Sequence, residues 1–369
     1  MTRLIGMTWD HPRGYDPLVA CSDIWRARSG VEIAWERRSL QDFESYPVED
    51  LARRYDLIVI DHPHVGLVAR DGCLRPLDAT GQDAIGPSLA SYQWDGQLWA
   101  LPIDAATQVS AWRPDLLDAA PTAWAEVEAL ARAGRVLVPL RAPHALMAFY
   151  TLAANAGHPC GAEPGRLIDP AAGAAVLERL RALAAHLDPA CFALDPIAVF
   201  ERMARPDSAI ACVPLIYGYV SYARAGFRER RIAFADLPLP DARGGTLGGT
   251  GIAVSAFSRE PEAAVAAAAW FASAEAQTGA YAQAGGQPAH RLAWHDAALD
   301  AACFGFFSAT RRTLERSYVR PRGPGYMPFQ AWASERVAQA LHDGDLRGAV
   351  SDLNAAFAAT AAAAPPARH

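Results

Sequence analysis

Two short apolar runs in this chain end at the same tripeptide. Leu4-Ile5-Gly6-Met7 leads to Asp10-His11-Pro12, and Leu57-Ile58-Val59-Ile60 leads at once to Asp61-His62-Pro63. A buried strand that ends in titratable side chains is how an α/β protein builds a ligand site. Proline fixes its own backbone and biases the residue before it to an extended conformation, so His11 and His62 are expected in defined turns. Asp and Pro are also plain turn formers, and a single such turn would carry a surface histidine. Two copies, each on a strand end and flanked by Trp9, Arg13 and Tyr15 or by His64 and Gly66, point to a site instead.

The rest of the chain repeats the same alternation of short apolar runs and helical patterns, which predicts α/β lobes with central mixed sheets flanked by helices. Strands are expected at 4–7, 31–36, 57–60, 98–102, 109–112, 209–213, 232–237 and 251–255. Helices are expected at 123–132, after the cap Asp169-Pro170, after Ser258, and near the end, where Leu346, Val350, Leu353 and Phe357 form a stripe. The stripe Val176, Leu177, Leu180, Leu183 is a packing face. The tail 361–369, with Pro365-Pro366, is expected to fray.

A length of 369 residues is too great for one ordinary core and suits two lobes. The net charge of −6 offers no basic field for nucleic acid, and no stretch of about 18 apolar residues could span a membrane. No apolar signal segment precedes the first strand, so a native start at Met1 would imply the cytoplasm. Six cysteines stand singly, without the paired spacing of a zinc site or a disulfide framework.

The order of segments carries a further reading. Asp95-Gly96-Gln97-Leu98-Trp99-Ala100-Leu101-Pro102, then Trp112-Arg113-Pro114-Asp115-Leu116-Leu117, then Pro121-Thr122-Ala123-Trp124, resembles the pattern of family 1 extracellular solute-binding proteins. Gly248-Gly249-Thr250-Gly251, Gly285-Gly286-Gln287-Pro288 and Arg320-Pro321-Arg322 continue it in order. The resemblance implies the type II periplasmic-binding-protein fold with a ligand cleft between two lobes, 1–106 plus 250–314 and 107–249 plus 315–369. It also implies a monomer working with ABC transporter membrane subunits, in the periplasm and without a cofactor.

Carried over by position, the resemblance gives ligand contacts at Trp9, Asp10, His11, Arg13, Asp61, His62, His64 and Asp104. In the second lobe it gives His144, Tyr217 and Tyr219, at the second crossing between lobes Gly249 and Thr250, and near the last crossing Tyr326. Aromatic faces suit a sugar, while Arg13 offers a fork to a carboxylate or sulfonate and partly protonated histidines would add to it. The expected solute is therefore small and polar, either anionic or sugar-like. Alternatives on the same scaffold are a metabolite sensor or a cytoplasmic enzyme. In the enzyme His62 or His64, oriented by Asp61 or Asp10, is a base, Cys160 a nucleophile, or His11, His62, His64 and Asp104 a metal set, His-x-His placing both rings on one face.

Overall fold

The computed structural model describes residues 2–40, 47–239 and 241–362; Met1 and residues 363–369 of the tail expected to fray lie outside the described residues, while 361 and 362 end the helix Leu346–Ala362. Among the described residues nine strands follow in chain order: β1 (Arg3–Trp9), β2 (Glu32–Arg38), β3 (Leu57–Ile60), β4 (Gln93–Trp94), β5 (Gln97–Leu98), β6 (Leu101–Trp112), β7 (Cys212–Tyr217), β8 (Ala233–Ala235) and β9 (Leu247–Val254). The chain divides into two compact units. The first holds 1–106, 219–221 and 248–303, and the second holds 107–218, 222–247 and 304–369.

In the first unit β1 pairs in parallel with β2 and β3, and β3 pairs antiparallel with β9. β3 is buried at all four positions, as a strand covered on both faces must be. The helix Pro12–Ser29 returns the chain from β1 to β2, the right length for a parallel crossover. Two glycines set how closely these layers approach. A Cβ on Gly6 would lie 2.5 Å from the Trp35 ring, and one on Gly14 would lie 2.4 Å from the Trp9 ring.

In the second unit β6 runs between β7 and β8, antiparallel to both. The helix His144–Asn155 is buried along nearly its whole length, and the helices Pro170–Ala184 and Tyr326–Asp343 pack against it. The expected stripe of Val176, Leu177, Leu180 and Leu183 is buried, and Asp169 caps its helix by accepting from the amides of Ala171 and Ala172.

Several boundaries differ from expectation for definite reasons. The runs at 98–102 and 109–112 are largely parts of one twelve-residue strand, β6, whose buried polar residues Asp104, Thr107 and Gln108 interrupt the apolar pattern. β7 starts three residues later than expected and runs through Pro214, which an edge strand tolerates. Ser258 does not cap the following helix: the cap position is Glu260, and the Ser258 hydroxyl instead donates to Asp56 Oδ1 at 2.6 Å.

Gly249 shows the tightest constraint in β9. It stands at φ +86, and a Cβ there would fall 2.3 Å from the carbonyl oxygen of Asp104. Gly249→Ala combines left-handed strain with a backbone clash, so it is expected to destabilise the chain by about 3 kcal/mol or more. Thermal melting followed by circular dichroism checks this, with a melting temperature lowered by about 6 °C or more.

Candidate functional site

The first unit builds its group around a buried ion pair. Arg13 lies in the first turn of the helix Pro12–Ser29 and is 3% exposed. Its Nε donates to Asp104 Oδ2 at 2.8 Å, and its Nη2 donates to Asp104 Oδ1. The Asp104 side chain has no exposed surface. The guanidinium lies 4.4 Å from the centre of the Tyr219 ring, and the His11 ring meets the same tyrosine edge-on at 5.0 Å. His11 is the cap of that helix: its Nδ1 accepts from the Arg13 amide at 3.1 Å, which leaves Nε2–H as the ring's donor.

The expected fork for an anionic solute is thus engaged within the protein. A planar guanidinium meets a carboxylate through two parallel hydrogen bonds, and here Asp104 supplies that carboxylate from β6. Asp10 also departs from expectation. Its side chain is largely exposed and pairs with Arg37 at 3.1 Å, because the turn that buries His11 points its neighbour outward.

Trp9, His62 and His64 are buried at 3%, 0% and 4% exposure, not surface turn residues. Asp61 caps the short 3-10 turn His62–His64 by accepting from the His62 amide at 2.8 Å, and lies 3.2 Å from His62 Nδ1. That turn corrects the His-x-His reading. In a 3-10 helix residues two apart point in different directions, so the two rings do not share a face as they would on an extended chain. Among the described residues no group of three or more His, Cys, Asp or Glu side chains is placed to hold a metal ion, so His11, His62, His64 and Asp104 do not form the alternative metal set.

Tyr219 belongs to the first unit, although its neighbour Tyr217 ends β7 in the second. The anchor is Gln287, which accepts from the Val220 amide at 2.9 Å and donates to Ala105 O at 2.7 Å. Gly249 and Thr250 are also of the first unit. Gly249 has the backbone role given above, while the Thr250 hydroxyl is buried without a hydrogen-bond partner among the described residues.

The second unit gathers its own group around His144, which opens the helix His144–Asn155 and is 2% exposed. Its ring stands 6.3 Å from that of Tyr217 in an edge contact, and neither ring nitrogen has a hydrogen-bond partner among the described residues. Burial first, then the charges of Arg320 and Arg141, pull its pKa down to about 3. His144 is therefore neutral at pH 7 and adds no positive charge, contrary to the expectation of partly protonated histidines. Tyr326 is buried at 1% exposure and donates to the Tyr150 hydroxyl at 3.3 Å, within the helical core. Cys160, expected in an exposed loop, is 3% exposed, and burial pushes its thiol up, away from the reactive thiolate.

Tyr281 and Gln287 in the first unit, and Arg320 in the second, were not among the expected site residues. Gln287 and Arg320 lie inside motifs already conspicuous in the sequence, Gly-Gly-Gln-Pro and Arg-Pro-Arg. Tyr281, fully buried and close enough to Asp104 for its hydroxyl to be held protonated, has no local signal.

The family profile of bacterial extracellular solute-binding proteins matches residues 48–293, about two thirds of the chain. The protein belongs to that family. No curated protein sequence matches this solute-binding protein. Solved structures share its fold at low identity. Maltose-bound MalE3 of T. maritima has a TM-score of 0.81 at 17% identity, covering 97% of this chain and 99% of that one. A Thermotoga lettingae ABC transporter solute-binding protein bound with α-D-tagatose has a TM-score of 0.83 at 15% identity, covering 98% and 100%. An Agrobacterium radiobacter K84 solute-binding protein in complex with ribitol has a TM-score of 0.76 at 19% identity, covering 96% and 97%. At these identities the likeness establishes the mixed α/β periplasmic-binding fold. Among the described residues no helix of this solute-binding protein is long and apolar enough to cross a membrane.

The neutral, buried state of His144 carries a pH signature. Its pKa is near 6.5 in the unfolded chain and about 3 in the folded one, so below pH 6.5 the unfolded state binds the extra proton. The contribution is full above that value and is lost as pH falls toward 3, at about 1.4 kcal/mol per pH unit. Denaturant titrations from pH 7 to 4 are expected to show this slope, and His144→Phe to reduce it by that amount.

Proposed function

We propose that this solute-binding protein captures a small, uncharged, hydroxyl-rich solute, a sugar or polyol, and supplies it to an ABC-type importer. The observation that carries the reading is the Arg13–Asp104 pair. With the guanidinium engaged by a buried carboxylate, the first unit offers no lone cation there for an anionic solute. What it offers are aromatic rings at Trp9 and Tyr219, imidazoles at His11, His62 and His64, and the Thr250 hydroxyl. The second unit adds the neutral His144 and the phenol of Tyr217. Aromatic faces cover the C–H faces of a sugar ring, and neutral donors and acceptors match its hydroxyls.

The maltose, tagatose and ribitol bound in the similar structures are all hydroxyl-rich and uncharged, which agrees with that chemistry. Nothing equally specific supports the enzyme alternative: Cys160 is a buried thiol whose ionisation burial opposes.

Thermal-shift screening against neutral sugars, polyols and small dicarboxylates tests the reading, and stabilisation is expected from the first two classes. A solute present at about 100 times its dissociation constant should add about 2.7 kcal/mol of stability. Thr250→Val keeps the side-chain shape and removes the unpaired hydroxyl. It is expected to leave stability equal or higher and to weaken solute binding by about five- to ten-fold, measured by calorimetry. Stabilisation by dicarboxylates alone would overturn the proposal.

A further inference from the structure

Apart from the groups described so far, the second unit carries a basic loop. Residues 224–231 read Arg-Ala-Gly-Phe-Arg-Glu-Arg-Arg, four arginines against one glutamate in a chain whose net charge is −6. All of these but Phe227 line, with Pro114, Asp115 and Phe304, a hollow of about 420 Å³. Two of the arginines are committed inside the protein. Arg228 donates to Glu201 at 2.8 and 2.7 Å, and Arg230 stands 3.8 Å from Asp115, a carboxylate that already takes two hydrogen bonds from Arg113.

Arg231 differs from them. Among the described residues no carboxylate lies within ion-pair distance of it, and its guanidinium sits 3.7 Å from the centre of the Phe304 ring. Phe304 is 51% exposed and holds φ at +52, with Gly305 after it at φ +80. A left-handed backbone is costly for a bulky residue, and a large exposed ring gains little from folding. A strained, exposed aromatic stacked under a cation without a carboxylate partner is a surface that gains by being covered.

We propose that this hollow docks an acidic segment of a protein partner, with its carboxylates meeting Arg231 and its apolar stem resting on Phe304. Charge complementarity names the partner's chemistry, and Arg is the residue best shaped to receive carboxylates in pairs. The hollow also distinguishes a side chain from a membrane. A hollow of this size admits an inserted side chain, whereas a plane of headgroups would meet only its rim. The proposal does not depend on which solute is bound.

Fluorescence anisotropy of a labelled hexaglutamate peptide, titrated with the full chain at low and physiological ionic strength, tests it. Saturable binding is expected, weakened about ten-fold or more by Arg231→Glu and about three-fold or more by Phe304→Gly. Glycine takes the left-handed backbone without strain, so Phe304→Gly removes the ring and keeps the turn. Circular dichroism melting confirms that each variant is folded. Arg3→Glu, at an exposed arginine of the first unit, is expected to leave binding unchanged. Absence of saturable binding, equal weakening by Arg3→Glu, or Arg231-dependent binding to phosphatidylglycerol vesicles without binding to the peptide would each overturn the proposal.

Discussion

The bidentate contact between Arg13 and Asp104 organises the first unit. It ties the first turn of the helix Pro12–Ser29 to β6, two segments 91 residues apart, and it does so away from water. Two charges can be buried only if each satisfies the other, and removing one partner alone typically costs about 3–5 kcal/mol. Everything adjacent follows from that tie: Tyr219 packs on the guanidinium, His11 packs on Tyr219, and His11 caps the helix that positions Arg13. The short segment around Tyr219 is held in the first unit by this stack and by Gln287.

Under the proposed function, the pair would also set the electrostatics that a solute meets. Burial opposes the ionised form of Asp104, the Arg13 charge supports it, and the arrangement as a whole presents no net charge. In the second unit the same result is reached differently. His144 avoids charge altogether, because burial and two nearby guanidiniums make protonation costly. Groups that are polar, buried and uncharged can hydrogen-bond hydroxyls without the desolvation cost of an ion.

Much of this was legible in the sequence. The twin Asp-His-Pro turns end buried strands, as their apolar runs required, and the order of weak motifs led to the correct family and fold. The histidines of those turns are buried rather than on the surface. What the sequence concealed was pairing over distance. Nothing local to Arg13 says that Asp104 will claim its fork, and nothing local to Tyr219 says that it parts company with Tyr217. The same holds within β6, where buried polar residues disguise a long strand as two short ones. Burial of His144, and hence its neutrality, depends on helices that lie nearly 200 residues further along the chain.

If the Arg13–Asp104 pair closes the first unit's guanidinium fork to anions, what remains is a grip suited to uncharged hydroxyls. Titration calorimetry with a neutral sugar and its own aldonic acid, matched in size and hydroxyl pattern, measures this directly. The neutral sugar is expected to bind at least about ten-fold more tightly than the acid, a difference of about 1.4 kcal/mol. An acid that binds more tightly than its parent sugar, with affinity falling as salt is added, would contradict it.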